Sequence, residues 1–426
     1  MSLSRTVEAT LIAVLLAPAL PAGAGSPWAE LAPPPLEPRG FASAVWTGDR
    51  LLVWGGAAEG VLLADGAAYD PAADAWAPIA PAPIAGRTGA GASWTGSEML
   101  VWGGCCDERG REMADGAAYD PAAGAWRLIP DSPLAPRTGH SAVWTGEELV
   151  IWGGARGERP LGDGAAYDPA ADAWIRLPEA PLAARSGHTA VWSGEAMLVW
   201  GGSVLDRRFS DGAAYEPASG EWRPLGPAPL APRSDHVAVW AGDRMVVWGG
   251  CCREEATPLD DGAAYDPAAD SWEPLPEAPI GRRLSAEAVV AGAAMFVWGG
   301  DDGRGSYLRD GALYEAATGV WGERTGPELH GRAGHALAWT GSEVLMWGGC
   351  CAAGGVALGD GARVHPGAVP EPGPTGTGPA PPIPRASPAA PAPGSLPTLV
   401  LAIVGALLVL VIAISLATGA RRAGRD

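Results

Sequence analysis

Residues 137–174 read RTGHSAVWTGEELVIWGGARGERPLGDGAAYDPAADAW (Arg137 to Trp174). Three signals are packed into this stretch. SAVW alternates and is closed by a Thr-Gly turn, as a half-buried strand would be. ELVIWGG is a short apolar run stopped by two glycines, which reads as a strand covered on both faces. DGAAYDPAADAW holds a strand, a Pro-containing turn and a further strand that opens with tryptophan. Four short strands therefore fit into about 50 residues.

The stretch is one copy of a repeat. Gly-Gly pairs begin at Gly55, Gly103, Gly153, Gly201, Gly249, Gly299 and Gly348, spaced 48 to 50 residues apart. An arginine stands sixteen residues before each: Arg39, Arg87, Arg137, Arg185, Arg233, Arg283 and Arg332. Asp-Gly follows each, starting at Asp65, Asp115, Asp163, Asp211, Asp261, Asp310 and Asp360. Six units continue to a tyrosine, with a tryptophan seven residues beyond it. The seventh has Val364 in place of tyrosine, then runs into proline with no fourth strand. The missing piece lies at the other end. WAELAPPPLEPR (Trp28 to Arg39) aligns without a gap to WAPIAPAPIAGR (Trp76 to Arg87). An orphan strand at one end and an incomplete sheet at the other predict a closed ring of seven, which would leave no exposed sheet edge. The 20 tryptophans all fall at repeat positions, leaving none for a dedicated ligand platform.

The order Arg-x-x-His, apolar strand, Gly-Gly, Tyr-Asp-Pro, Trp resembles the kelch repeat. That resemblance implies an all-β, seven-bladed β-propeller over residues 26–366, closed by the N-terminal outer strand. It implies fold far more firmly than function. Some kelch-like propellers are enzymes, among them a copper-dependent galactose oxidase and a sialic acid mutarotase. Here only Tyr307 departs from the tyrosine repeat, and no unrepeated nucleophile, base or metal cluster stands out. No cofactor or metal is expected.

The flanks carry other signals. Residues 1–24 place a short apolar stretch after Arg5 and end on Ala-Gly-Ala, the pattern of a secretory signal. Residues 367–396 are dense in Pro, Gly and Ala and read as a semi-extended stalk. Residues 397–420 are uncharged and mostly apolar, long enough to span a bilayer. The basic tail at 421–426 places the C-terminus in the cytoplasm. The expected product is a single-pass membrane protein, monomeric, with its propeller outside the cytoplasm. The formal net charge of −19 argues against nucleic acid as the partner.

All six cysteines occur as touching pairs directly after Gly-Gly: Cys105-Cys106, Cys251-Cys252 and Cys350-Cys351. Those three units have ten residues between Gly-Gly and Asp-Gly, against eight or nine elsewhere. The pairs could close on themselves as vicinal disulfides, remain thiols, or hold metal. Bridges between units 2, 5 and 7 are disfavoured because these are never neighbours in a ring of seven. Closure within each pair is the expected arrangement, in a compartment where disulfides persist.

Antiparallel strands put the Gly-Gly to Asp-Gly loops and the proline-rich connections on one face, and the short turns on the other. The first set varies while the turns are nearly copied, so the variable loop face is expected to do the individual work. It carries Arg109, Arg111, Arg156, Arg159, Arg207, Arg208, Arg253, Arg304 and Arg309 among acids, a rim that would suit an acidic peptide or an anionic sugar. The sevenfold arginines are expected instead to bind connection carbonyls in every blade. The repeated aspartates are expected to bond their own turns. The leading function is a binding or interaction module for a protein or carbohydrate ligand. The alternative is an extracytoplasmic carbohydrate-active enzyme of propeller type.

Overall fold

The computed structural model describes residues 28–106, 110–251, 257–324, 329–350 and 356–366. The signal, stalk and membrane segments read from the sequence lie outside the described residues. Among the described residues every regular element is a strand.

Seven four-stranded antiparallel sheets form. In the third, Ser141–Trp144, Leu149–Trp152, Gly164–Asp168 and Ala173–Arg176 lie in that order. The second strand is wholly buried, as a continuous apolar run demands. The fourth is mostly exposed and takes charged residues. The innermost strands of successive blades touch in order round the ring, and that of blade 7 (Ala336–Trp339) touches that of blade 1 (Ser43–Trp46).

Closure occurs as the sequence predicts. Trp28–Glu30 is the fourth strand of the last blade, with Trp28 opposite Val364 and Glu30 opposite Ala362. In the other six blades the partner of the outer tryptophan is tyrosine, for example Tyr167 and Trp174 at 5.2 Å between rings.

Tryptophan also welds blade to blade. The buried second-strand tryptophan of one blade meets the outer tryptophan of the next: Trp102 with Trp174, Trp152 with Trp222, Trp200 with Trp272, and Trp347 with Trp76 across the closure. The outer indole N–H donates to a connection carbonyl of the preceding blade, as from Trp126 to the Ala80 carbonyl (2.8 Å). Both the ring and its polar atom are thus satisfied at the seam.

The loop face holds extra structure that the repeat pattern does not announce. Two-residue hairpin arms form at Ala57–Ala58 with Val61–Leu62, Ala155–Arg156 with Arg159–Pro160, and Ser203–Val204 with Arg207–Arg208. They belong to the three units with eight-residue loops and no cysteine.

Candidate site at the loop face

Each repeated arginine is a staple inside its own blade. Arg185 is fully buried. Its Nε donates to the Ala183 carbonyl (2.9 Å), Nη1 to the Gly201 carbonyl (3.0 Å), and both Nη atoms reach the Asp211 carboxylate (2.8 and 3.2 Å). The same set recurs at Arg39, whose guanidinium holds the Asp65 carboxyl below its ordinary pKa. A planar five-donor group can tie two loops and a carboxylate at once. The expectation that these arginines bind connection carbonyls therefore holds. The expectation for the Asp-Gly aspartates is corrected: their carboxylates are spent on arginine. The Tyr-Asp-Pro aspartates do bond their own turn, as Asp168 does to the amides of Ala170 and Ala171.

The residue after each staple pairs with the residue after Gly-Gly, as Ser186 does with Ser203 and Ser234 with Cys251. Loops and connections thus share one face. One step further on, the chain turns through a left-handed residue in all seven blades: Phe41, Gly89, Gly139, Gly187, Asp235, Ser285 and Gly334, with φ between 51° and 63°. Backbone bonds link consecutive members, from the Asp235 N–H to the Gly187 carbonyl (3.3 Å) and from the Ser285 N–H to the Asp235 carbonyl (3.1 Å). This ring rims the top of the innermost strands. Glycine is the residue that takes this conformation without steric cost; Phe41, Asp235 and Ser285 depart from it and carry side chains there.

The four histidines sit immediately below. His188, His236 and His335 are buried and His140 is half-buried, and all four stand edge-on to a tryptophan of the preceding blade at 5.0 to 5.2 Å, as His188 does to Trp152 and His335 to Trp298. His236 also touches Thr189 (Oγ1 to Nε2, 2.8 Å). Burial pushes all four down to about 3, so they are neutral packing groups at ordinary pH.

Unrepeated acids gather on blades 5 and 6. The Asp235 carboxyl accepts from Ser234 Oγ (2.8 Å), and burial raises its pKa despite that bond and the positive charge of Arg208. Glu287 begins the inner strand Glu287–Ala291, where other blades have Ser43, Gly91, Ser141, Thr189, Val237 or Ala336. Burial pushes its carboxyl up to about 8. Asp301, after Gly299-Gly300, is raised for the same reason. No group of three His, Cys, Asp or Glu side chains among the described residues is placed to hold a metal ion.

The rim arginines are dispersed. Arg109 and Arg253 lie outside the described residues. Arg111, Arg156, Arg159, Arg207, Arg304 and Arg309 are exposed on several different loops. Arg156 and Arg159 face each other across one hairpin. Arg207 and Arg208 share another, Arg207 over the Phe209 ring (4.9 Å) and Arg208 donating to the Leu205 carbonyl (3.0 Å). Among the described residues the structure pairs Arg156 with Arg159 and sets Arg207 beside Arg208. The sequence reading passed over Asp235, Ser285 and Glu287. The available signal was an acid or hydroxyl standing at a repeat position held by small or apolar residues in most other units.

Cys105 and Cys106 have their sulfurs in contact, across a cis peptide bond. Cys251 and Cys350 hold the matching places in blades 5 and 7, and Cys350 packs over Gly40 of blade 1. Cys252 and Cys351 lie outside the described residues.

A Kelch-repeats domain family described as KLHDC2/KLHL20/DRC7 matches residues 176–349. A solved structure titled "Structure of YjhT" is similar in fold, with a TM-score of 0.56 at 15% identity, covering 69% of this chain and 99% of that one. No curated protein matches the chain. The repeat that fills the matched residues continues unchanged on both sides of them, in staple, glycine pair and strand order. The match over residues 176–349 and the seven-bladed β-propeller together support a kelch-repeat propeller family.

Proposed function

We propose that this propeller is a membrane-anchored interaction module outside the cytoplasm, engaging a protein or carbohydrate partner through its loop face. The supporting observation is the way the described chain ends leave the ring. Trp28 and Val364 are opposed at the short-turn end of blade 7. His365 bonds the Ser342 carbonyl in a short turn. A C-terminal anchor would therefore hold the short-turn face toward the bilayer and the loop face outward. The varied loops, the rim arginines and the unrepeated channel acids all lie on that outward face. The adjacent cysteines, read as vicinal disulfides, would stiffen its longer loops.

Protease treatment of intact cells making the full chain tests the location. Digestion of the propeller is expected, whereas its survival would place it inside. Crosslinking of the full chain in its membrane should capture a partner that Arg207→Ala/Arg208→Ala loses. Equal capture by that variant would remove these arginines from the contact. Mass spectrometry of the Cys105-Cys106 peptide without reduction should find it two hydrogens lighter than the dithiol.

A further inference from the structure

The loop face is divided in its chemistry. Between Gly-Gly and Asp-Gly, blades 2 to 6 each carry three to five charged side chains. Residues 57–64 of blade 1 carry one, Glu59, and residues 350–359 of blade 7 carry none. The rest of those two loops is alanine, glycine, valine, leucine and cysteine, so side chains that could bond a neutral polar ligand are scarce there as well. Apolar groups stand exposed in the same sector. Val61 of the blade 1 hairpin is 60% exposed, Val356 of blade 7 is 55% exposed, and Phe41 on the rim is 39% exposed. Phe41 is the one exposed aromatic side chain among the described residues.

Backbone bonds fix Phe41 between the two loops. The Arg39 N–H donates to the Leu358 carbonyl of blade 7 (3.0 Å), and Gly40 exchanges two bonds with Ala57 of blade 1 (3.0 Å each). Val356 lies two residues before Leu358, and Val61 pairs with Ala58, next to Ala57. The Phe41 N–H donates to the Gly334 carbonyl of blade 7 (2.8 Å). Its ring rests on that glycine, with two ring carbons 2.6 Å from where a β-carbon on Gly334 would stand. A side chain at 334 would therefore displace the ring. The backbone at Phe41 has φ of 57°. Bulky residues rarely take this conformation, and strain of this kind gathers at sites of function. Four of the other six rim positions are glycine, and Asp235 and Ser285 are polar. An aromatic ring thus occupies a place where the backbone favours glycine. Held in this way, it gives up little freedom when something binds to it.

We propose that the sector of Phe41, Val61 and Val356 docks a protein partner, which sets an aliphatic or aromatic side chain against Phe41 and carries acidic residues beside it. The inference rests on the loop-face reading and chooses between its two partner classes. A sugar laid on Phe41 would bring hydroxyls out of water against loops that cannot bond them. An apolar side chain gains by the same move. Charge sets the flanks. The exposed Arg304 and Arg309 belong to blade 6, which adjoins blade 7, and the exposed Arg111 to blade 2, which adjoins blade 1. Acids beside the apolar anchor would meet these arginines on either side. A second copy does not fit as the occupant, because two chains anchored in one membrane with this face outward cannot bring these faces together. Their own bilayer lies on the opposite side for the same reason.

Peptide-phage selection on the full chain in nanodiscs tests it, with a random dodecamer library as the probe. The recovered pool should combine Leu, Phe or Trp with Asp or Glu. A synthetic peptide of the winning sequence should bind Phe41→Gly about tenfold more weakly than the parent, as expected for loss of one packed aromatic contact. Glycine takes the left-handed conformation freely, so this variant should keep the parent's circular dichroism spectrum. Val61→Ser and Val356→Ser should each weaken the peptide severalfold. Leu205→Ser, which removes an exposed apolar side chain from the blade 4 hairpin, should leave the affinity unchanged. An empty selection, a pool without apolar residues, equal affinity for Phe41→Gly, or an equal loss with Leu205→Ser would overturn the proposal. Chitohexaose and vesicles of phosphatidylcholine with phosphatidylglycerol are the competing probes. Binding of either that Phe41→Gly abolishes would overturn it in favour of a carbohydrate or a lipid surface. If the crosslinked partner is lost by Arg207→Ala/Arg208→Ala but kept by Phe41→Gly, the apolar sector is excluded and the loop-face reading survives.

Discussion

At the scale of single residues, the charges this propeller repeats are structural and those it uses once are candidates for work. Arg185 closes three backbone carbonyls and a carboxylate with one buried group. Its removal would leave them unpaired, so Arg185→Ala should cost about 3–5 kcal/mol in chemical denaturation. Arg185→Lys should recover only part of this, because a single ammonium cannot reach the same fork of acceptors. The histidines carry a pH signature. Their folded pKa of about 3 lies below the ordinary 6.5. The unfolded chain therefore takes up protons first as pH falls. Their contribution is complete above pH 6.5 and is lost progressively down to pH 3. The denaturation midpoint should fall steeply in that window. His188→Gln should flatten the slope by about 1.4 kcal/mol per pH unit, one proton's worth.

At the scale of the element, the three residues Trp28–Glu30 decide whether the last blade has an edge. Without them Gly361–Val364 would present an open row of backbone donors and acceptors. Trp28 would also vacate its place beside Phe296 of blade 6 (6.4 Å). A chain lacking residues 28–35 should have a lower denaturation midpoint and should self-associate in size-exclusion chromatography, while Trp28→Phe should remain monomeric. The strands themselves were legible in the sequence because alternation and apolar runs report burial directly. The hairpin arms such as Ser203–Val204 with Arg207–Arg208 were not. Two-residue strands have no period to read, and their pairing follows from the ends fixed by Gly201-Gly202 and Asp211.

At the scale of the whole molecule, the described chain ends meet on one face. In complete blades six residues separate tyrosine from the outer tryptophan, as between Tyr167 and Trp174. His365 and Pro366 supply the first two in blade 7. A circular permutant that adds Ala-Ala-Asp-Ala after Pro366, runs on into Trp28 and opens between Gly194 and Glu195 should fold to the same closed ring. Its thermal midpoint should lie within a few degrees of a linear 28–366 chain. Failure to fold would contradict the closure.

The sequence by itself determined the repeat, the count of seven and the strand that seals it, because each is a matter of spacing and of apolar pattern along the chain. It also separated the varied face from the copied one. Only the tertiary structure decided what the charged residues do. Arg185 and Asp211 are 26 residues apart, and nothing in their spacing says that a carboxylate read as a turn-former is the partner of a buried guanidinium. Asp235 and Ser285 stand 50 residues apart in the chain, yet their backbones are bonded to each other. They meet because closing the ring brings the same position of neighbouring blades together round one axis, and such proximity across units is invisible to any pattern read along one strand.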